Sequence, residues 1–449
     1  MAILACALVL LACPGAQERT GGGTPADVFA IYLLAEPVDP RITGYGQGDW
    51  SRLRLASSPL ITGNDLVSYD WSTHAMKLRR EAVARIRHPP VGGTPFVVVA
   101  EGQRIYLGLF ITIFSSHSFA VPAIVTDAQI SPTQPTDTLV IARAYPTSSF
   151  GRGPDPRSDE RIKIALTKLG KAKASIVGAQ VKPSVGEPQA HVFASPGGVD
   201  LKAYVFSPVA DDGRVPRPAI VLFYGGGWAQ GEPAWAFTRA RHFAEQGMVA
   251  VAAEYRLSDQ KSITPIEAMA DARAVIRWMR AQASSLKIDP RRIAAYGWSA
   301  GAHLAASAAI FADTVAGEDS ARPDALVLVS PAVSLVSDQW FQRLLGTRGN
   351  ARDFSPDLHV RAGLPPTLIL QGSTDTVTPL PGVRRFCEQL VAARNRCEMH
   401  VYEQYGHLFT PAGIPDDGQP QPDPGIAADA LARADRFLKS LGFQSSGAR

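Results

Sequence analysis

The sequence predicts an α/β protein: a mostly parallel sheet with helices on both faces, preceded by a small α+β domain. Three observations carry that expectation. From about residue 189 onward, short apolar runs alternate with longer helical patterns, as expected for parallel strands whose crossovers are helices. A serine bracketed by glycines, Gly297-Trp298-Ser299-Ala300-Gly301, stands between the strand-like Arg292-Ile293-Ala294-Ala295-Tyr296 and an Ala-rich helical stretch. A stretch rich in Pro, Gly, Ser and Lys over residues 146–188 separates this block from an earlier one of mixed pattern.

A chain of 449 residues exceeds the usual single-domain range and can bury a sizeable core. Hydrophobic residues at 46% and charged residues at 19% fit an ordinary globular protein. The net charge of +4 is spread along the chain without a basic tract, so composition gives nucleic-acid binding no support. The expected division is a signal and flexible start over 1–23, a small α+β domain over 24–145, a linker over 146–188 and a main α/β domain over 189–449.

Ala2 to Ala12 is an unbroken apolar run followed by Cys13-Pro14-Gly15-Ala16, which reads as an export signal. It is too short to span a bilayer, which takes about 20 apolar residues. Leu10-Leu11-Ala12-Cys13 also resembles a lipoprotein signal, with Cys13 as the lipid anchor. No Lys or Arg precedes the run, and a misplaced start or a disordered tail stands as the other reading. An exported location, whether periplasmic, lipid-anchored or secreted, is the expectation. Cys387 and Cys397 are the cysteines of the remaining body. Cys387 lies within a helical pattern and Cys397 opens the next strand, so they read either as a disulfide or as two buried thiols.

In the first block, Phe96–Ala100 and Arg104–Phe110 flank Glu101-Gly102-Gln103 as a β-hairpin, and Lys77 to Ile86 reads as a short amphipathic helix. His74, His88 and His117 are scattered without a metal-ligand spacing, which favours core or solvated histidines. In the second block, parallel strands are expected at Ala219–Tyr224, Met248–Ala253, Arg292–Trp298, Ala325–Ser330, Thr367–Gln371 and Glu398–Glu403. Helices are expected at Trp235–Gln246, Pro265–Ala283, Ser299–Phe311, Pro379–Arg394 and Ile426–Leu441. Two antiparallel strands, around His191–Ala194 and Val199–Phe206, precede the first parallel one.

Serine is a weak nucleophile and needs a base, and the base needs a group that fixes its tautomer. In α/β-hydrolases the acid and the histidine follow the nucleophile in that order, at the ends of later strands. Asp375 lies just beyond the strand Thr367–Gln371, and His407 lies in the loop after the last strand. Glu403 and Asp416 are weaker acid candidates, one inside a strand and the other after the histidine. Tyr224-Gly225-Gly226-Gly227-Trp228 follows the first parallel strand, where backbone N–H groups of Gly226, Gly227 and Ala300 form a candidate oxyanion hole. Trp228 and Trp298 are candidate substrate contacts. No Lys-Ser/Thr ending makes the glycine run a phosphate loop.

Residues 190–443 resemble the hormone-sensitive-lipase-like and carbohydrate-esterase-like serine esterases of the α/β-hydrolase superfamily. The resemblance rests on Gly225-Gly226-Gly227-Trp228, Glu254-Tyr255-Arg256-Leu257, Asp271, Gly297 to Leu304, Gly372 to Asp375 with Pro379, and Gly406-His407. It implies an α/β-hydrolase fold and a carboxylic-ester hydrolase that works through an acyl-enzyme without metal or organic cofactor. Arg256 and Asp271 take structural roles by the same resemblance, and His303, behind the nucleophile, reads as packed. Those esterases carry His before the three glycines where this chain has Tyr224. The short stretch between Ser330 and Thr367 leaves little room for a large lid, so short acyl groups, including acetyl groups on carbohydrate, are the expected substrates. The alternatives are a prolyl-oligopeptidase-like serine peptidase, whose repeated blades are not visible, and a non-catalytic binding module.

Overall fold

A computed structural model describes residues 28–36, 38, 52–86, 89, 92–112, 118–126, 137–146, 150–173, 185–208, 216–259, 262–311, 320–416 and 420–444. The signal reading of 1–23, the Cys13 anchor, His88 and His117 lie outside these residues. The first unit carries strands β1 (Phe29–Leu33), β2 (Ile61–Thr62), β3 (Leu66–Asp70), β4 (Ala75–Leu78), β5 (Thr94–Ala100), β6 (Gln103–Ile111), β7 (Ala123–Val125), β8 (Thr138–Val140) and β9 (Ala172–Lys173). They form a five-stranded sheet ordered β2-β1-β5-β6-β7 and a four-stranded sheet ordered β8-β4-β3-β9. The expected hairpin is the antiparallel pair β5–β6. His74 is buried with Nδ1 3.0 Å from the Tyr69 hydroxyl.

Two details of this unit depart from the sequence expectation. The segment Lys77–Ile86 is not one helix: Met76 and Leu78 are buried on either side of exposed Lys77, a period-two pattern that pairs as β4 with β3, and only Arg80–Arg85 is helical (α1). The linker 146–188 is also partly structured. Glu160–Lys168 is a helix (α2) capped by the Asp159 carboxylate, and β9 pairs in parallel with β3. Ile162, Ala165 and Leu166 recur at helical spacing and enter the same core as Phe29, Ile31, Tyr69 and Tyr106. The first unit therefore extends to Lys173.

The second unit is built on β10 (Gln189–Ala194), β11 (Leu201–Phe206), β12 (Arg217–Phe223), β13 (Val249–Ala253), β14 (Ile288–Trp298), β15 (Ala325–Val329), β16 (Thr367–Gly372) and β17 (Cys397–Tyr402). Their order is β10-β11-β13-β12-β14-β15-β16-β17, antiparallel through β10, β11 and β13 and parallel from β13 to β17. The chain reverses its direction of progress at β12, which lies between β13 and β14. Loops leaving β12 and β14 therefore open a crevice at the carboxyl edge of the sheet, where ligands of such sheets bind. Strands β13, β15 and β16 are buried along their whole length, as a parallel sheet covered on both faces requires.

The helices are α3 (Phe237–Glu245), α4 (Pro265–Ala281), the short α5 (Ala283–Leu286), α6 (Ala300–Ile310), α7 (Gln339–Leu345), α8 (Leu380–Ala392) and α9 (Pro424–Ser440). Helix α4 starts in a capping box: the Ile266 N–H bonds Thr264 Oγ1, and the Thr264 N–H bonds the Glu267 carboxylate. Every residue of α6 is buried, and its run of alanines lets it lie directly against β14 and β12. Helices α3 and α9 are joined by His242 and Asp435 at 2.9 Å. Cys387 on α8 and Cys397 at the start of β17 form a disulfide with a Cα–Cα distance of 5.7 Å. Among the described residues, no helix is long and apolar enough to cross a membrane.

The two units touch beside the crevice. Ser118 Oγ donates to Glu232 Oε1 at 2.7 Å, and Thr238 Oγ1 donates to the Tyr145 hydroxyl at 3.0 Å. Val125 and Phe150 pack against the core of the second unit.

Candidate active site

Ser299 is the single residue between the last position of β14 and the first of α6. Its backbone lies at φ 54°, ψ −124°, a conformation that an L side chain rarely adopts and that costs about 1–3 kcal/mol. Two glycines permit the turn. A Cβ on Gly297 would fall on the Gly301 carbonyl, and a Cβ on Gly301 would fall on the carbonyls of Phe223 and Tyr224. The Ser299 N–H donates to the Val329 carbonyl at 3.0 Å, which ties the turn to β15.

His407 follows β17. Its Nε2 lies 2.9 Å from Ser299 Oγ, and its Nδ1 lies 3.0 Å from Asp375 Oδ2 and 3.2 Å from Oδ1. An ionised carboxylate only accepts, so Nδ1 carries the proton and Nε2 faces the serine hydroxyl as an acceptor. Asp375 is itself tightly held. Oδ1 accepts from the N–H groups of Thr378 (2.6 Å) and Val377 (3.0 Å), and Oδ2 accepts from Gln371 Nε2 (3.0 Å) and Thr378 Oγ1 (2.8 Å). These donors stabilise the anion and fix its orientation.

Of the other acid candidates, Glu403 is exposed in the turn beyond β17. Asp416 is at the site but faces the backbone: it accepts from the N–H of His407 (2.6 Å) and of Thr376 (3.1 Å) and bonds the Thr376 hydroxyl. Burial opposes its ionisation, yet the Thr376 and His407 bonds hold its carboxyl below the usual carboxylate range. Gly406 is required here because a Cβ would strike the Asp416 carboxylate.

The glycine run after β12 turns through positive φ at Gly226 (120°), Gly227 (56°) and Trp228 (59°). The Gly226 carbonyl accepts from the N–H of Gln230 at 3.1 Å, and the Gly227 carbonyl accepts from Trp340 Nε1 at 2.8 Å. Ala300 is the first residue of α6, where a helix has no internal partner for its N–H groups. Tyr224 occupies the position where the resembling esterases carry His. Its ring stacks on Tyr255 at 4.3 Å between centroids, and the Tyr255 hydroxyl donates to the Tyr224 carbonyl at 2.8 Å. The loop is thus anchored by ring packing. Burial raises the Tyr224 phenol above its ordinary range, so it stays neutral.

The two tryptophans differ. Trp298 forms part of the cavity wall beside Ser299, with its ring under the Arg239 guanidinium at 4.4 Å. Trp228 also borders the cavity, but its indole is committed to the interior: Nε1 donates to His303 Nδ1 at 3.1 Å, and the ring packs edge-on against His303 and Phe341. The Trp228 side chain thus supports the glycine loop from the interior while bordering the cavity. Nε2 of His303 lies 3.0 Å from the Phe354 carbonyl, so both ring nitrogens are satisfied by the neutral form. Arg256 forks onto Asp271 with contacts of 2.7 and 2.9 Å, behind the site.

Burial, which outweighs the Phe354 bond, pushes His303 down to about 4. An unfolded chain takes up this proton near pH 6.5 and the folded one only near 4. Stability tied to His303 is thus intact above pH 6.5 and lost as the pH falls toward 4, by at most about 3 kcal/mol. His303→Asn is expected to shrink the loss of urea stability between pH 7 and pH 4.5 by about 2 kcal/mol relative to the parent. Identical losses in the two proteins would reject this account.

Ser299, His407 and the glycine loop open onto a cavity of about 820 Å³. Part of its wall was not anticipated. Helix α7, capped by Asp338, brings Trp340 and Arg343 to the mouth, and Arg239 on α3 lines the far side. No local motif marks these residues. They reach the site only because the sheet brings distant crossovers to one edge.

Residues 205–327 match the family model BD-FAE. The chain belongs to the esterase-type α/β-hydrolases. The thermophilic esterase Est2 from the Planctomycetes species Thermogutta terrifontis is 33% identical, with a TM-score of 0.51 over 59% of this chain and 95% of that one. Esterase LipC from Mycobacterium tuberculosis is 29% identical over 222 residues, 44% of this chain and 52% of the relative. A probable isoprenylcysteine α-carbonyl methylesterase, ICMEL1 from Arabidopsis thaliana, is 25% identical over 218 residues, 43% of this chain and 45% of the relative. The chain spans about half the length of these curated relatives.

Proposed function

We propose that this protein hydrolyses carboxylic esters of short acyl groups, with Ser299 as nucleophile, His407 as general base and acid, and Asp375 as the group that orients His407. The unbroken line of hydrogen bonds from Ser299 Oγ through His407 to Asp375, at 2.9 and 3.0 Å, carries this reading. His407 Nε2 takes the serine proton as Oγ attacks the ester carbonyl, and the resulting oxyanion is held by the N–H groups of Gly226, Gly227 and Ala300. Collapse expels the alcohol, which receives the proton from Nε2. Water then attacks the acyl-serine by the reverse roles, releasing the acid. No step needs a metal or an organic cofactor.

Short acyl groups are favoured by the bond from Trp340 to the glycine loop, which sets a bulky ring against the oxyanion donors. Structures of the Thermogutta terrifontis esterase with propionate and with butyrate bound support the same class. The disulfide between Cys387 and Cys397 supports an exported location, since such bonds persist in oxidising compartments. Across a series of p-nitrophenyl esters, kcat/KM is expected to fall at least about tenfold from butyrate to decanoate, the scale of a lost fit over several methylenes. Faster cleavage of the decanoate would reject the short-acyl assignment.

A further inference from the structure

Among the described residues, the first unit contributes no strand to the eight-stranded sheet, yet it grips the segment that carries one wall of the cavity. Gly231 to Ala236 connects the glycine loop to α3, and it contains the four-residue 3₁₀ turn Pro233–Ala236. Such turns have poorer hydrogen-bond geometry than an α-helix, so their placement depends on what holds their flanks. Trp235 lies in this turn, half-buried, and lines the cavity beside Tyr296 and Trp298.

Both flanks of the turn are tied to the first unit. Before it, Glu232 Oε1 accepts from Ser118 Oγ at 2.7 Å; after it, Thr238 Oγ1 donates to the Tyr145 hydroxyl at 3.0 Å. Trp235 stands midway, three positions from each tied residue. Ser118 and Tyr145 come together because Phe119 and Tyr145 exchange backbone hydrogen bonds at 2.8 and 3.0 Å. Leu109, Ile111 and Ala123 bury this bridge in a small apolar cluster, and Val125 beside it packs onto the core of the second unit. The glycine loop has a support of its own: Tyr224 stacks on Tyr255 and its carbonyl accepts from the Tyr255 hydroxyl, while Trp235 meets Tyr224 edge-on with centroids 6.2 Å apart. A shift of Trp235 therefore changes the width of the cavity and leaves the glycine loop anchored.

We propose that the first unit is a specificity element of the esterase: Ser118 and Tyr145 are positioning residues that set Trp235, and Trp235 contacts one half of the ester. The proposal rests on the esterase reading above. The variant Ser118→Ala/Tyr145→Phe removes both ties and keeps the Tyr145 ring in its cluster. It is compared with the parent, as full chains, on two pairs of substrates: p-nitrophenyl acetate and hexanoate for the acyl half, and phenyl and 2-naphthyl acetate for the alcohol half. In one pair, the ratio of kcat/KM for the larger ester over the smaller is expected to change by at least about threefold, the scale of one hydrogen bond. The change is expected to fall on KM, with kcat on the smaller ester kept within about twofold. In a Trp235→Ala background the same double replacement is expected to leave the ratio unchanged, because residues that act through one another are not additive. Where the double variant does not fold, Ser118→Ala and Tyr145→Phe are read singly, each with part of the shift expected. Ratios unchanged in both pairs in the folded variants, or an equal change in the Trp235→Ala background, overturn the proposal. Failure of the esterase reading looks different: the parent cleaves none of the four esters and Ser299 does not react with a fluorophosphonate.

Discussion

Ser299→Ala is expected to lower kcat on p-nitrophenyl butyrate by about 10⁵- to 10⁶-fold and to abolish labelling by a fluorophosphonate probe. The size of the effect follows from the geometry. Ser299, His407 and Asp375 form one line of hydrogen bonds, so in the proposed mechanism removal of the first member disables the proton transfer that His407 performs for it. In that mechanism the cavity and the proposed backbone donors of Gly226, Gly227 and Ala300 remain to bind and polarise an ester, and a residual rate about 10³–10⁴ above water is expected. The substitution removes one oxygen and keeps the Cβ already tolerated at φ 54°, so the strained turn persists in the variant. Thermal unfolding of the variant is therefore expected to match the parent to within a few degrees. A folded Ser299→Ala protein that still labels would remove Ser299 from the mechanism.

The line from Ser299 to Asp375 was legible in the sequence because each member sits next to a feature that a single strand records. Gly297 and Gly301 mark a turn that leaves no room for a Cβ at either of those two positions, Asp375 follows the fully buried apolar run of β16, and His407 follows the edge strand β17. The parallel sheet was legible for the same reason. What the sequence hid depends on contacts between distant segments. Trp228 borders the cavity, but that its indole N–H is held by His303, 75 positions away, could not be read from either residue. Helix α2 was concealed by its flanks: a Pro- and Gly-rich approach masks the repeat of Ile162, Ala165 and Leu166, whose burial depends on strands formed much earlier in the chain. Asp416 reads as a stray carboxylate after the histidine, and only the loop's return places it on the His407 N–H. Arg239 and Trp340 belong to crossovers on either side of the sheet and carry no motif at all.

Asp375→Asn is expected to reduce kcat by about 10⁴-fold with little change in KM. The carboxylate is surrounded by donors on both oxygens: two backbone N–H groups on Oδ1, and Gln371 Nε2, Thr378 Oγ1 and His407 Nδ1 on Oδ2. An amide offers an acceptor at only one of those positions. If its oxygen stays with the N–H groups of Val377 and Thr378, its NH₂ takes the place of Oδ2, facing the Thr378 hydroxyl and His407 Nδ1, and the bond to His407 persists only when that nitrogen becomes an acceptor. The ring proton then moves to Nε2, where it faces Ser299 Oγ and blocks the acceptance of the serine proton. If the amide turns the other way, two N–H groups of a tight turn are left against a donor, and the loop that positions Asp375 is disturbed. Either outcome disables the base without touching the substrate, so the loss falls on kcat. In the proposed mechanism serine, histidine and aspartate act as a unit, so the double variant Ser299→Ala/Asp375→Asn is expected to be no slower than Ser299→Ala alone. Asp416→Asn provides the internal comparison: its partners are the backbone N–H groups of His407 and Thr376 and the Thr376 hydroxyl, none of them a His407 ring nitrogen, so it is expected to cost far less than Asp375→Asn. The reverse order would transfer the orienting role from Asp375 to Asp416.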